Sequence, residues 1–164
     1  MTTLIYRSLF LFFSFVILVS CGTTKKANNI HAKQLGYLPS EFHNTYLGMP
    51  LAAFKKSRVT AKPGKTEEFR SVFIEEFDKG DIKSVAYYFG TKEEMPLYEY
   101  VIDYHLKEKR DAFVASNLGK PNSGEEWSFD SNEGFKIKAW LFQNKLVVAG
   151  IIKDTEWYDE TETD

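Results

Sequence analysis

The spacing of apolar and polar positions changes several times along this chain, and each change marks an element. Residues 9–19, "LFLFFSFVILV", are apolar apart from Ser14, and residues 22–40 are polar, lack a lasting period and are broken by Gly36 and Pro39. A helix is predicted over 48–58, "GMPLAAFKKSR", where Pro50 suits a first turn and Met49, Leu51 and Phe54 share a face. Residues 59–67, "VTAKPGKTE", read as a loop around Pro63 and Gly64. Three alternating runs follow. In "EEFRSVFIEEF" Phe69, Phe73 and Phe77 fall on one side, with Arg70 and Glu76 on the other. The turn at 78–81 leads to "IKSVAYYFG", and in "LYEYVIDY" Tyr98, Tyr100, Ile102 and Tyr104 share a face. Alternation of this kind predicts half-buried antiparallel strands.

The pattern then restarts. "HLKEKRDAFVASNLG" places Leu106, Phe113, Val114, Asn117 and Leu118 at helical spacing, with Gly119 as a stop and Pro121 preventing continuation. "EEWSFDS", "FKIKAWLFQ" and "KLVVAGIIK" are the next strands, the last two joined by a hairpin link at Asn144–Lys145. The order helix, three strands, helix, three strands predicts an α+β fold: a mostly antiparallel sheet with two helices on one face, with a possible tandem α-β-β-β repeat. The domain is expected at 41–153, its halves at about 46–104 and 105–153.

The N-terminal run changes the picture of compartment. Arg7, the apolar middle and the small Ser20 make residues 1–20 a secretory signal, shorter than the roughly 20 apolar residues that a membrane helix requires. "LVSC", ending at Cys21, resembles the lipobox of bacterial lipoproteins. The resemblance implies cleavage before Cys21 and acyl chains on its sulfur and new amine, anchoring the protein to a membrane. More than one chain is needed for stable attachment. Cys21 is the only cysteine, so no disulfide supports the domain. Residues 21–40 then read as a lipidated tether whose Lys25, Lys26 and Lys33 rest near headgroups or serve solubility. With Gly22 after the cysteine, the expected place is the cell envelope, on the outer membrane facing the periplasm.

Charge and chemistry narrow the function. The formal net charge is −2 and no basic patch stands out, which sets nucleic-acid binding aside. "PGKT" at 63–66 lacks the upstream glycine of a phosphate loop, and "DSNEGF" at 130–135 lacks the late glutamate of a calcium loop and reads as a turn. His31 and His43 have no neighbours at metal-ligand spacing, and Asp103 and His105 read as a strand-to-helix junction in preference to an acid–base couple. The expectation is a protein without catalysis, cofactor or metal.

"YLGMPLAAFKK" at 46–56, "LGKPNSGEEWSF" at 118–129 and "LVVAGIIK" resemble small outer-membrane-assembly lipoproteins of the SmpA/OmlA kind and the wider group resembling β-lactamase inhibitor protein. Gly48-Met49 would be the helix start, Leu118-Gly119-Lys120-Pro121 the helix end and Trp127 the strand aromatic. The resemblance implies a non-catalytic binding scaffold.

Aromatic residues make up 16% of the chain, so some are expected on a contact surface of the sheet. Trp140 and Trp127 are the candidate interface anchors, Trp127 with a competing claim as core. The tail, 154–164, is acidic at Asp154, Glu156, Asp159, Glu160, Glu162 and Asp164 and reads as solvated. Its Trp157 and Tyr158 either clamp the last strand to the body or wait for a partner. The function expected is an envelope protein that binds another protein. The alternatives are an inhibitor or immunity protein of an enzyme and a carrier of a small apolar ligand.

Overall fold

A computed structural model describes residues 31–161, with side chains to residue 158. The signal segment, Cys21 and the first ten residues of the expected tether lie outside the described residues. Among the described residues no helix is long and apolar enough to cross a membrane.

The chain runs α1 (Ala32–Leu35), a 3-10 turn (Ser40–Phe42), α2 (Leu51–Ser57), β1 (Lys62–Thr66), β2 (Ser71–Glu76), β3 (Ile82–Phe89), β4 (Leu97–Tyr104), α3 (Lys107–Asn117), β5 (Trp127–Asp130), β6 (Lys136–Phe142), β7 (Lys145–Gly150) and α4 (Glu156–Thr161). All strands join one seven-stranded sheet in the order β1-β2-β3-β4-β7-β6-β5, with every pairing antiparallel. The fold is α+β. Each unit, α2-β2-β3-β4 and α3-β5-β6-β7, is a helix followed by a meander. Their last strands, β4 and β7, meet antiparallel at the centre, so the six-strand order reads alike from either side.

Alternation determines which side chains face the core. Phe73, Val85, Tyr87, Phe89, Tyr100 and Ile102 point to the helix side, where Phe54 of α2 and Val114 of α3 join them. Phe54 meets the rings of Tyr87 at 4.7 Å and Phe89 at 4.8 Å, both edge-on, the arrangement that aromatic quadrupoles favour. Two polar groups inside this core are paired. Tyr100 donates to Thr45 Oγ1 at 3.0 Å, and Arg58 holds the buried Glu75 carboxylate.

Three expectations need correction. Residues 62–66, read as a loop, form β1. Proline is tolerated there because β1 is an edge strand, where one missing N–H leaves no neighbour unpaired. Gly64 suits the position, since an added Cβ would stand 3.2 Å from Ile74 Cδ1. The second correction concerns residues 31–40, read as the end of a tether, which pack on the body. Leu38 is core, and the buried Gln34 amide accepts from Leu47 N–H at 2.8 Å and donates to Leu47 O at 3.3 Å. Leu38, the half-buried Tyr37 and the Gln34 amide give no period, so composition alone did not reveal them. Thirdly, the acidic tail enters a short helix, α4, and lies on the opposite face of the sheet from α2 and α3.

The buried phenols carry a pH prediction. Tyr87, Tyr98, Tyr100 and Tyr104 are all held above the ordinary phenol pKa, with burial the leading cause in each. Above about pH 10 the unfolded chain releases phenolic protons that the folded chain keeps. This part of the stability is therefore whole below that pH and is lost as pH rises, by about 1.4 kcal/mol per pH unit for each such tyrosine. Tyrosinate absorbance from these four residues is expected to appear together with loss of circular dichroism in one cooperative alkaline step. Their titration at lower pH with the dichroism intact would contradict it.

Candidate functional site: the open face of the sheet

Opposite the helices, β2, β3, β4, β7 and β6 present Ile74, Ala86, Val101, Val147 and Trp140 in neighbouring registers. This face is more apolar than a solvated sheet face requires. Ile74 is 40% exposed and Phe142, beside the β6–β7 turn, is 57% exposed. Phe69, read with Phe73 and Phe77 as one face of a strand, instead precedes β2 and is exposed at the edge of the same side. Lys138 and Lys145 share the face with Trp140 and Phe142.

A β-bulge shapes one end of it. Pairing slips between Tyr88 and Phe89, so Tyr88 opposes Glu99 while Phe89 opposes Leu97, leaving Tyr98 as the extra residue. Leu97 turns into the core while Tyr98 reaches Glu156 on the open side. The shared face expected for Tyr98, Tyr100, Ile102 and Tyr104 thus holds only for the last three. The slip places Tyr98 and Glu99, which strict alternation would separate, at one end of one groove.

The C-terminal helix occupies that end. Glu156 accepts from Tyr98 OH at 2.7 Å and pairs with Arg70 at 3.3 Å. Trp157 donates its indole N–H to the Glu99 carboxylate and stands edge-on to Trp140, with ring centroids 5.1 Å apart. Arg70 is itself framed: Glu67 accepts from its Nε at 2.6 Å, and its guanidinium lies over the rings of Phe69 at 4.9 Å and Tyr88 at 5.2 Å. The hydrogen bonds from Lys65 and then Arg70 hold Glu67 below the usual carboxylate range. Tyr98 is pushed up by burial first and then by its bond to Glu156, so the phenol donates and the carboxylate accepts.

The candidate interface residues therefore separate. Trp140 and Trp157 lie together on the open face. Tyr158 follows on α4, half-buried. Trp127 does not belong with them. It is 3% exposed on the helix side, donating to Gly119 O at 3.2 Å, and is a core residue. Its register opposite Ala139, not Trp140, decides this. Cys21, the expected lipid attachment point, lies outside the described residues. Sequence reasoning missed Arg70, Tyr98 and Glu99, whose roles arise from the bulge and from a partner far along the chain.

The other candidate groups have structural partners. His31 stacks on Tyr46 at 3.6 Å and bonds Glu133 at 2.7 Å, and His43 bonds Leu38 O at 3.0 Å. Asp103 pairs with Lys83 at 3.7 Å on the open face, while His105 lies past the end of β4. The "DSNEGF" segment is a turn in which Ser131 Oγ accepts from Glu133 and Phe135 N–H. Among the described residues, no three His, Cys, Asp or Glu side chains are grouped to hold a metal.

A second concavity lies on the other side. A cleft of about 810 Å³ separates residues 32–43 from α3 and is lined in part by Leu35, Leu38, Ile82, Tyr104 and Phe113. The Tyr104 hydroxyl is buried without a hydrogen-bond partner, hence shielded from the cleft's own solvent.

Compared with known proteins, the chain matches no protein family, no curated protein and no solved structure.

Proposed function

We propose that this chain is a lipid-anchored envelope protein, tethered through Cys21, whose α+β domain is a non-catalytic module that binds another protein through the open face of its sheet. The observation that carries this reading is the continuous apolar face around Trp140, with Ile74 and Phe142 left exposed. Solvated sheet faces alternate to polar residues, and an exposed apolar patch on a single domain marks a contact surface. Lys138 and Lys145 flank it on the same face as the kind of polar residues that border an apolar interface core.

Photocrosslinkers placed at Ile74 and Phe142 in cells test the reading, followed by identification of what is captured. Ile74→Ala, read with the crosslinker at Phe142, and Phe142→Ala, read with it at Ile74, are each expected to weaken capture about tenfold, corresponding to about 1.4 kcal/mol. Thermal stability should stay within about 0.5 kcal/mol of the parent, since both side chains are exposed. Unchanged capture in both variants would remove the open face from the reading. Retention of a Cys21→Ser variant in the membrane fraction would remove the anchor.

A small apolar ligand is the second reading, supported by the cleft beside α3. Native mass spectrometry of the purified chain tests it, with a stoichiometric added mass as the supporting result.

A further inference from the structure

We infer that the groove formed by Arg70, Tyr98, Glu99 and Trp140 is a recognition site for an acidic, tryptophan-bearing peptide segment of the partner, and that Glu156 and Trp157 occupy it in the free protein as an internal stand-in. This inference rests on the protein-binding reading above and names the kind of partner that the face takes.

The contacts define the ligand chemistry. Arg70 and Tyr98 converge on one carboxylate, at 3.3 and 2.7 Å. Glu99 accepts one indole N–H, and Trp140 supplies an edge-on ring beside it. A segment with glutamate followed directly by tryptophan meets all four groups. An aliphatic segment would offer no carboxylate to Arg70 and Tyr98 and no indole N–H to Glu99. Just before the helix Lys92 pairs with Asp154 at 3.4 Å, a second acidic contact of the same segment.

The internal occupant is built to be displaceable. α4 has six residues, too few to hold a helix by itself. Trp157 lies outside the hydrophobic core, and the edge contact with Trp140, the bond to Glu99 and the Glu156 contacts are polar or peripheral ones that a ligand of the same chemistry can replace. The connection runs from the end of β7 at Gly150 through residues 151–154, where Asp154 turns with φ +64°. The open face beyond α4 still carries the exposed Ile74 and Phe142. A partner bound along that face gains the same four contacts by replacing α4.

The test uses the chain from residue 21 onward with Cys21→Ser and a fluorescent peptide with the sequence of residues 154–164. A Glu156→Ala/Trp157→Ala chain is expected to bind the peptide at least tenfold more tightly than the parent, whose groove is filled. Adding Arg70→Met is expected to reverse that gain, while circular dichroism remains that of the parent. Equal binding by parent and unlatched chains, or binding by neither, overturns the inference. Hydrogen exchange on the parent keeps the test decisive if the unlatched chain does not fold. The α4 amides are expected to exchange at least a hundredfold faster than those of β4, and exchange together with β4 overturns the inference. Failure here with partner capture at Ile74 and Phe142 intact removes the stand-in but keeps the docking face. Peptide exchange without any captured partner does the reverse.

Discussion

Arg58→Ala is expected to destabilise the domain by about 3–5 kcal/mol, because it leaves a buried carboxylate without its counter-charge. Glu75 is 7% exposed and points from β2 to the helix side, among aromatic rings. Arg58, at the end of α2, donates to it through Nε at 2.9 Å and again through Nη2. Thr60 and Tyr87 complete its set of donors, the latter at 3.0 Å. The same guanidinium spans the rings of Phe42 at 5.6 Å and Tyr87 at 5.8 Å and donates to Glu41 O at 2.8 Å. Removing it therefore takes away packing as well as charge. A domain of this size is stable by about 5–15 kcal/mol in total, so the loss is a large fraction. Denaturant unfolding of the single variant should show it. The pair Arg58→Met with Glu75→Leu should recover most of it, since no charge is then left buried. A single variant within 1 kcal/mol of the parent (roughly the cost of an ordinary substitution) would mean that Glu75 is satisfied by Thr60 and Tyr87 alone.

Phe54→Ala is expected to have an effect of the same size, about 3–5 kcal/mol, by another route. Phe54 is fully buried and is the ring through which α2 meets the sheet. Its loss removes apolar contacts and leaves a cavity that Phe73, Tyr87 and Phe89 cannot close without leaving their rotamers. α2 has seven residues and no side-chain N-cap, so its hold on the sheet rests on Phe54 together with Leu51 and Arg58. Hydrogen exchange should then show early opening of residues 51–57 relative to β4. Arg58 lies one turn from Phe54 on the same short helix, so the two variants should be non-additive when combined. Additive losses would show that the ion pair and the aromatic cluster hold different parts of the fold.

These two sites and the open face separate stability from binding. Both stabilising residues act on the helix side of the sheet. Ile74, Phe142 and the groove at Arg70 act on the other. Variants of the first set should lower the stability of the domain, and variants of the exposed residues should leave its melting temperature near that of the parent.

Much of the fold was legible locally. The strand face of "SVFIEE" follows from alternation alone, because residues two apart in a strand share a side, and so does "VAYYF", whereas Ile82 joins Val85 in the core only through a slip in pairing. α3 was legible from its helical spacing and from Gly119 and Pro121 after it. β1 was not, because edge pairing imposes so little on sequence that lysine, proline and glycine all serve there. Trp127 and Trp140 are alike as sequence signals. Their faces differ because the register of β5 against β6 sets Trp127 opposite Ala139.

By itself the sequence determined that the middle of the chain is two helix-and-meander units, and that tryptophan stands near the acidic C-terminus. Local periodicity suffices for that, since it records which side of its own element each residue takes. Tertiary structure alone decided that β4 meets β7, that a bulge turns Tyr98 and Glu99 toward one groove, and that Arg70 meets Glu156 across 86 residues of chain. The physical reason is that period has no reach beyond one element. A one-residue slip in pairing, invisible in composition, changes which side chains share a face and so decides where a site forms.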